Sequence, residues 1–264
     1  AMWVLVAREN FEDPVVASML DAKSFSARRR TILVFFDPGE GQPVERLTVS
    51  RYGLGDMFEA AWPPETQPDQ WLRLAEIIAD RNPQKVALNS SKLTAYADGM
   101  TLSAHEEMMA ALPAALRSRV VRDEVLAIRW LETRTPSEMA RYPEIVALAH
   151  AIIGEGLSGK VIRPGITTTD DVAWWFRERI AELGVEAWFH QSVAISRKGV
   201  KEQLDGDTVI EQGDMLWTDF GITYLRLNTD TQQNAYVLRD GETQAPKGLR
   251  DGLAASNRVQ DALT

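Results

Sequence analysis

The chain has 264 residues, 45% apolar and 25% charged, with a formal net charge of −9, a profile that fits one large globular domain or two modest ones. No apolar run approaches the roughly 18 residues of a membrane-spanning helix, and the acidic balance argues against a nucleic-acid binder, whose affinity would rest on a basic face. There is no cysteine, which excludes thiol catalysis, disulfides and thiolate metal sites. Most of the acid excess falls after residue 122, which suits a cation site or solvated helix faces equally well. The opening Ala1-Met2-Trp3 runs straight into a strand-like stretch, so the start reads as trimmed. A cytoplasmic location is the first expectation. A periplasmic or secreted one follows if a leader has been removed.

In chain order, residues 4–7, 32–36, 44–50 and 85–89 are short apolar or β-branched runs bounded by turn residues, the pattern of strands. Between them, residues 70–80 place Leu72, Ala75, Ile78 and Ala79 at helical spacing. Residues 103–116 read as a second helix, opened by a Ser103/Glu106 capping box. Together these make a small α/β domain. Arg28-Arg29-Arg30, with nothing aromatic interleaved, reads as a solvated basic cluster. The apolar pattern breaks between Arg117 and Pro136. A helix then starts at Tyr142-Pro143, where proline suits the first turn, and carries Ile145, Leu148, Ala149, Ile152 and Ile153 as one stripe. Another opens at Thr168/Thr169-Asp170-Asp171, aligns Val172, Trp175, Phe176, Ile180 and Leu183, and stops at Gly184. Strands are predicted over 187–195, 215–222 and 234–238. Residues 248–263 have some helical spacing, weakened by Gly248 and Gly252.

The sharpest local signal is Gly213-Asp214-Met215-Leu216-Trp217-Thr218-Asp219-Phe220-Gly221 followed by Asn228-Thr229-Asp230-Thr231. A carboxylate in an apolar strand must be paired or metal-bound, because an isolated buried charge costs several kcal/mol. Asp219 and Asp230 on neighbouring strands would repel each other, and a shared divalent cation would relieve both the burial and the repulsion. On spacing alone, turn-capping roles for both residues stand equally open. Asp-Phe-Gly also occurs in protein kinases, but no glycine-rich nucleotide loop or His-Arg-Asp precedes it. His190 lies among aromatics in Trp188-Phe189-His190-Gln191-Ser192-Val193, which suits a packed core histidine or a catalytic one. His150 lies off its helix stripe and His105 in a polar turn; both read as structural. The lack of a His-x-x-x-His pair argues against an imidazole-built zinc site, and carboxylate ligation favours Mn²⁺, with Co²⁺ or Zn²⁺ next.

These residues resemble a known family. Gly213-Asp214 ahead of an apolar strand, Asp219-x-Gly221 and a second aspartate 11 positions on are similar to the first two metal ligands of pita-bread metallopeptidases. Residues 162–167 resemble the family's turn between its first two helices, and residues 189–193 the strand whose histidine sits beside the scissile bond. Trp3 to Glu9 with Asp13-Pro14, and Val86 to Asn89 with Ala97-Asp98-Gly99, look like the N-terminal domain of the creatinase, aminopeptidase P and prolidase branch. The resemblance implies an α/β (α+β) chain: a creatinase-like N-terminal domain over 1–122, a linker over 123–136, and the first half of a pita-bread domain over 137–264.

The resemblance also implies a function, hydrolysis of short peptides, Xaa-Pro bonds among them, by two divalent metal ions in a homodimer. Asp219 would hold one ion, Asp230 would bridge both, and His190 would hydrogen-bond near the scissile peptide. The family completes its site with a histidine and two glutamates further on, and no histidine follows His190. The sequence therefore reads as a shortened member, inactive alone, whose exposed sheet either self-associates or belongs to a longer polypeptide. Two departures stand out: a polar loop over 197–211 between His190 and Asp219, and a turn over 221–227 without Asn-Gly chemistry. A non-catalytic pita-bread binding protein is the alternative. Metal-free amidinohydrolysis, as in creatinase, is disfavoured because both aspartates are present.

Overall fold

The computed structural model describes residues 1–11, 13–21, 29–63 and 69–263. The chain divides into two compact units, Ala1–Thr133 and Arg134–Thr264. The first contains β1 (Met2–Ala7), α1 (Pro14–Met19), β2 (Thr31–Phe36), β3 (Glu45–Ser50), β4 (Glu59–Ala60), α2 (Gln70–Arg81), β5 (Val86–Leu88), α3 (Leu102–Ala111), α4 (Ala114–Arg117), β6 (Val120–Arg122) and α5 (Glu124–Glu132). Its sheet runs β4-β3-β2-β1-β5-β6. β1, β2 and β3 pair antiparallel, while β5 joins β1 and β6 in parallel. β1 and β2 are continuous apolar runs because both faces are covered. Val4, Val6, Ile32 and Val34 pack toward Leu74, Ile78 and Met108, and Leu5, Ala7 and Leu33 toward Val16, Met19 and Ala127.

Several sequence expectations shift here for identifiable reasons. The buried stripe of α2 is Trp71, Leu74, Ala75 and Ile78, not one through Leu72 and Ala79; Leu72 is exposed. Trp71 has the largest apolar area to bury, and its i, i+3, i+4, i+7 partners fix the face. The helix expected over 103–116 is broken after Ala111, because Pro113 cannot donate to it. Thr101 caps α3, not Ser103, and His105 lies within that helix. The basic cluster is only partly solvated. Arg30 stacks 4.5 Å from the Trp71 ring and pairs with Glu107 at 2.8 Å, Arg29 pairs with Glu9 at 3.6 Å, and Arg28 lies outside the described residues. The expected linker over 123–136 is mostly helix. Ala127 of α5 is buried in the first unit, and Trp130 Nε1 donates to Ser18 Oγ at 2.9 Å, so the division falls after Thr133.

The second unit contains α6 (Pro136–Gly156), α7 (Thr169–Glu182), β7 (Ser192–Ser196), β8 (Met215–Phe220), β9 (Thr223–Tyr224), β10 (Leu227–Asn228), β11 (Thr231–Tyr236) and α8 (Lys247–Asp261). α6 begins at a Thr135/Glu138 capping box, well ahead of the expected Tyr142-Pro143, and Pro143 sits inside it. α7 carries a second box, Thr168/Asp171. Most of each expected stripe is buried, Ile145, Ala149, Ile152 and Ile153 from α6 and Val172, Phe176 and Ile180 from α7, while Leu148 and Trp175 are half-buried and Leu183, past the end of α7, is exposed. They cover one face of an antiparallel sheet of order β11-β8-β7. Gly156 lets them approach, since a Cβ there would overlap the Phe176 ring. α8 forms despite Gly248 and Gly252, but none of its residues is buried, and Leu249, Leu253 and Val259 stay exposed. Among the described residues, no helix is long and apolar enough to cross a membrane.

Candidate metal centre

Strand alternation sorts β8 into two faces. Leu216, Thr218 and Phe220 are buried under the helices, while Met215, Trp217 and Asp219 are half-buried on the opposite face. The register places Ser192 of β7 and Gln232 of β11 directly across from Asp219, so one polar row crosses the open face. Asp230 lies just ahead of β11, two residues before Gln232. Parity therefore carries it to the same face as Asp219, at the diagonal cross-strand position, where Cα atoms lie about 7–8 Å apart. Asp230 is exposed.

The electrostatics agree with this placement. Burial first, and the negative charge of Asp230 second, hold the Asp219 carboxyl above the usual carboxylate range, with only partial relief from the Phe220 backbone. Asp219 Oδ1 is buried and has no hydrogen-bond partner. A buried acceptor left unpaired costs about 1–3 kcal/mol. Asp219 sits within β8 and not at a turn, so the capping role open in the sequence loses ground for this residue. Two hard oxygen donors, one orphaned and one repelling it, fit a divalent cation. Among the described residues, no group of three or more His, Cys, Asp or Glu side chains is arranged to hold a metal ion.

The excursion between the aspartates is what makes them neighbours. Ile222 and Thr229 exchange backbone and side-chain hydrogen bonds, Thr229 N to Ile222 O at 2.9 Å and Ile222 N to Thr229 Oγ1 at 3.1 Å. Beyond them β9 and β10 form a two-residue hairpin whose central residues, Leu225 and Arg226, both have positive φ, 52° and 64°. The turn thus adopts the geometry that Asn-Gly favours without those residues. Trp188 Nε1 donates to Thr229 O at 2.8 Å. Gly221 permits this packing, because a Cβ there would overlap Phe189, Thr229 O and Trp188 Nε1.

His190 is exposed and lines a shallow depression with Asp170, Ala173, Trp174, Arg177 and Gln191. It makes no hydrogen bond or ion pair with either aspartate among the described residues. Asp219 and Asp230 thus share one face of the sheet by register, and His190 lines a different depression. His150 is exposed on α6.

Sequence reasoning missed the clamp at the start of β8. Asp214 is buried and receives Arg197 Nε at 2.9 Å, Arg197 Nη2 at 2.8 Å and the Glu211 N–H at 2.8 Å. Burial alone would raise its pKa, but the Arg197 guanidinium and the Glu211 N–H outweigh burial and hold the carboxyl below its ordinary range. The polar loop over 197–211 is tied down by this pair, by an Ile195–Leu204 bridge and by Thr169 Oγ1 donating to Gly206 O. A buried carboxylate preceding a strand, with an arginine inside the adjoining loop, was the available signal.

A two-layer α/β unit preceded by another α/β unit fits the pita-bread class of fold. The chain belongs to metallopeptidase family M24, whose profile matches residues 99–263; that family generally depends on two metal ions. Among solved structures, the X-Pro aminopeptidase of Thermotoga maritima MSB8 is similar at a TM-score of 0.62 and 16% identity, covering 95% of this chain and 65% of that one. An Xaa-Pro dipeptidase from Bacillus anthracis gives 0.55 and 17%, covering 95% and 62%. The prolidase from Pyrococcus furiosus gives 0.53 and 14%, covering 92% and 64%. At these identities the likeness is one of fold. The chain spans less than two thirds of the length of each of these enzymes. No curated protein matched by sequence.

Proposed function

We propose that this chain provides the first two carboxylate ligands, Asp219 and Asp230, of a two-metal centre that hydrolyses short peptides, including bonds that precede proline. The observation that carries this reading is the buried, unpartnered Asp219 Oδ1 beside the charge of Asp230. Asp219 would hold one ion and Asp230 would bridge two. When bound, such ions supply Lewis acidity toward the scissile carbonyl and an activated water. The chain's own contribution is positional. β8 fixes Asp219 from a rigid strand, the Ile222–Thr229 closure fixes Asp230, and Trp188 with Gly221 closes the packing around them. His190 would stand at the substrate rim as a hydrogen-bonding group. The family membership supports a peptidase, and the likeness to an X-Pro aminopeptidase and an Xaa-Pro dipeptidase supports the Xaa-Pro preference.

Electron paramagnetic resonance of Mn²⁺ titrated into the purified chain tests the ligand assignment. Saturable loss of the free-ion signal is expected, and Asp219→Asn and Asp230→Asn should each weaken it by about tenfold or more, the effect of removing one charged oxygen ligand. Equal Mn²⁺ uptake by the wild type and both variants would remove the two residues from the site.

A further inference from the structure

The tip of the β9–β10 hairpin closes one side of a groove of about 290 Å³ against α6 and the segment after α7, and neither Asp219 nor Asp230 lines it. Its apolar lining comes from Ile145, Leu148, Leu183, Val185, Tyr224 and Leu225. Ile145 is buried, but Leu183, Tyr224 and Leu225 are exposed. Large apolar side chains gathered around one concavity mark an interaction surface, which singly scattered ones do not. The groove is preformed. Thr223 N donates to Glu186 O at 2.7 Å, Glu186 N to Thr223 O at 3.2 Å, and Tyr142 Oη to Asn228 O at 2.9 Å, so the hairpin is fixed to both walls. Leu225 is held there in left-handed backbone, a conformation a side chain keeps only where its surroundings enforce it. Within one chain, that strain serves only to present a leucine to solvent.

The charges that line the groove are Arg141 and Glu144, about one turn apart on α6, both exposed and 3.5 Å from each other. One positive and one negative group on the same helix make this edge complementary to itself. A two-fold axis across α6 sets two copies of the helix antiparallel and brings each Arg141 against the partner's Glu144. We propose that this groove is the contact between two copies of the chain, an isologous dimer in which Leu225 of each copy fills the groove of the other. The reciprocal Arg141–Glu144 contacts fix the register, and Leu183, Tyr224 and Leu225 form the apolar centre. The strain of the hairpin is then offset at the interface. The contact requires neither aspartate and stands independently of the metal centre.

Sedimentation equilibrium of the whole chain over a wide concentration range, with a chelator present, tests the contact. A monomer–dimer equilibrium is expected. Leu225→Asn combined with Arg226→Gly suits the turn and removes the inserted side chain, so that variant should fold and should weaken the dimer about tenfold or more. Arg141→Glu and Glu144→Arg each set like charges across the axis, and each alone should weaken the dimer to a similar degree. An equimolar mixture of those two variants should recover it as a heterodimer, because one copy then presents two acidic groups and the other two basic ones. Leu253→Asn, at an exposed position of α8, should leave the dimer unchanged, which separates this contact from association through the open sheet. A chain that stays monomeric at every concentration would overturn the proposal. So would a dimer that the hairpin variant does not weaken, one that Leu253→Asn weakens as much, or charge variants that fail to recover each other on mixing.

Discussion

The Arg197–Asp214 pair shows how much rests on a single residue. Asp214 is 1% exposed and has exchanged water for one guanidinium and one N–H. Removing the partner of a buried charge typically costs about 3–5 kcal/mol. Arg197→Met should therefore lower the unfolding free energy by about 3 kcal/mol, measured by denaturant titration at neutral pH. The depressed pKa of Asp214 sets a pH dependence. Its stabilisation is fully present above the unfolded carboxylate value near 4 and is lost as pH falls through the lower folded value. Wild type should lose stability across that acidic window, and Arg197→Met should lose less. Only a carboxylate ahead of an apolar strand and an arginine in the adjoining loop hinted at this in the sequence, because an ion pair across a loop leaves no periodic trace. Asp219 and Asp230 were legible as candidates, since a carboxylate inside an apolar strand violates the strand's own pattern. Their convergence was one of two open readings, beside turn-capping, because it depends on the Ile222–Thr229 closure and on register.

At the scale of elements, the sequence marks helices best where a cap and a stripe coincide. The Thr168/Asp171 box and the Val172, Phe176, Ile180 stripe agree, and α7 lies as expected. For α6 the Thr135/Glu138 box was present in the sequence, but Pro143 suggested a later start; the cap and the buried stripe beyond it outweigh one interior proline. The β9–β10 hairpin breaks a local rule outright. Leu225 and Arg226 both occupy left-handed backbone, at a cost of about 1–2 kcal/mol per residue. Leu225 is 61% exposed, so its burial offsets little. The double substitution Leu225→Asn with Arg226→Gly should stabilise the protein by about 1 kcal/mol, read as a raised unfolding midpoint. A lowered midpoint would mean that the native side chains contribute more than the turn costs.

For the whole molecule, the decisive relation is between an unpaired carboxylate and the divalent cation proposed for it. Two carboxylates leave most of a divalent ion's coordination to water, and catalytic metal sites generally hold at least about three protein ligands. Residues 1–264 are therefore expected to hydrolyse Xaa-Pro dipeptides with added Mn²⁺ no faster than the Asp219→Asn variant; a clear metal-dependent excess would show that this chain closes the site unaided. The raised pKa of Asp219 means that its charged form opposes folding. Its contribution is most favourable below the unfolded carboxylate pKa and declines as pH rises through the higher folded value. At neutral pH without metal, replacing it with a neutral amide should stabilise the fold, because the amide lacks the charge that burial and Asp230 penalise. A cation should do the same for the wild type by mass action. Thermal unfolding of wild type and Asp219→Asn at neutral pH, with and without Mn²⁺, measures both effects together. The expected result is a variant that melts higher than wild type without metal and does not respond to Mn²⁺, while wild type shifts upward. An Asp219→Asn protein that melts lower than wild type without metal, or that shifts with Mn²⁺ as wild type does, would contradict a metal-holding role for Asp219.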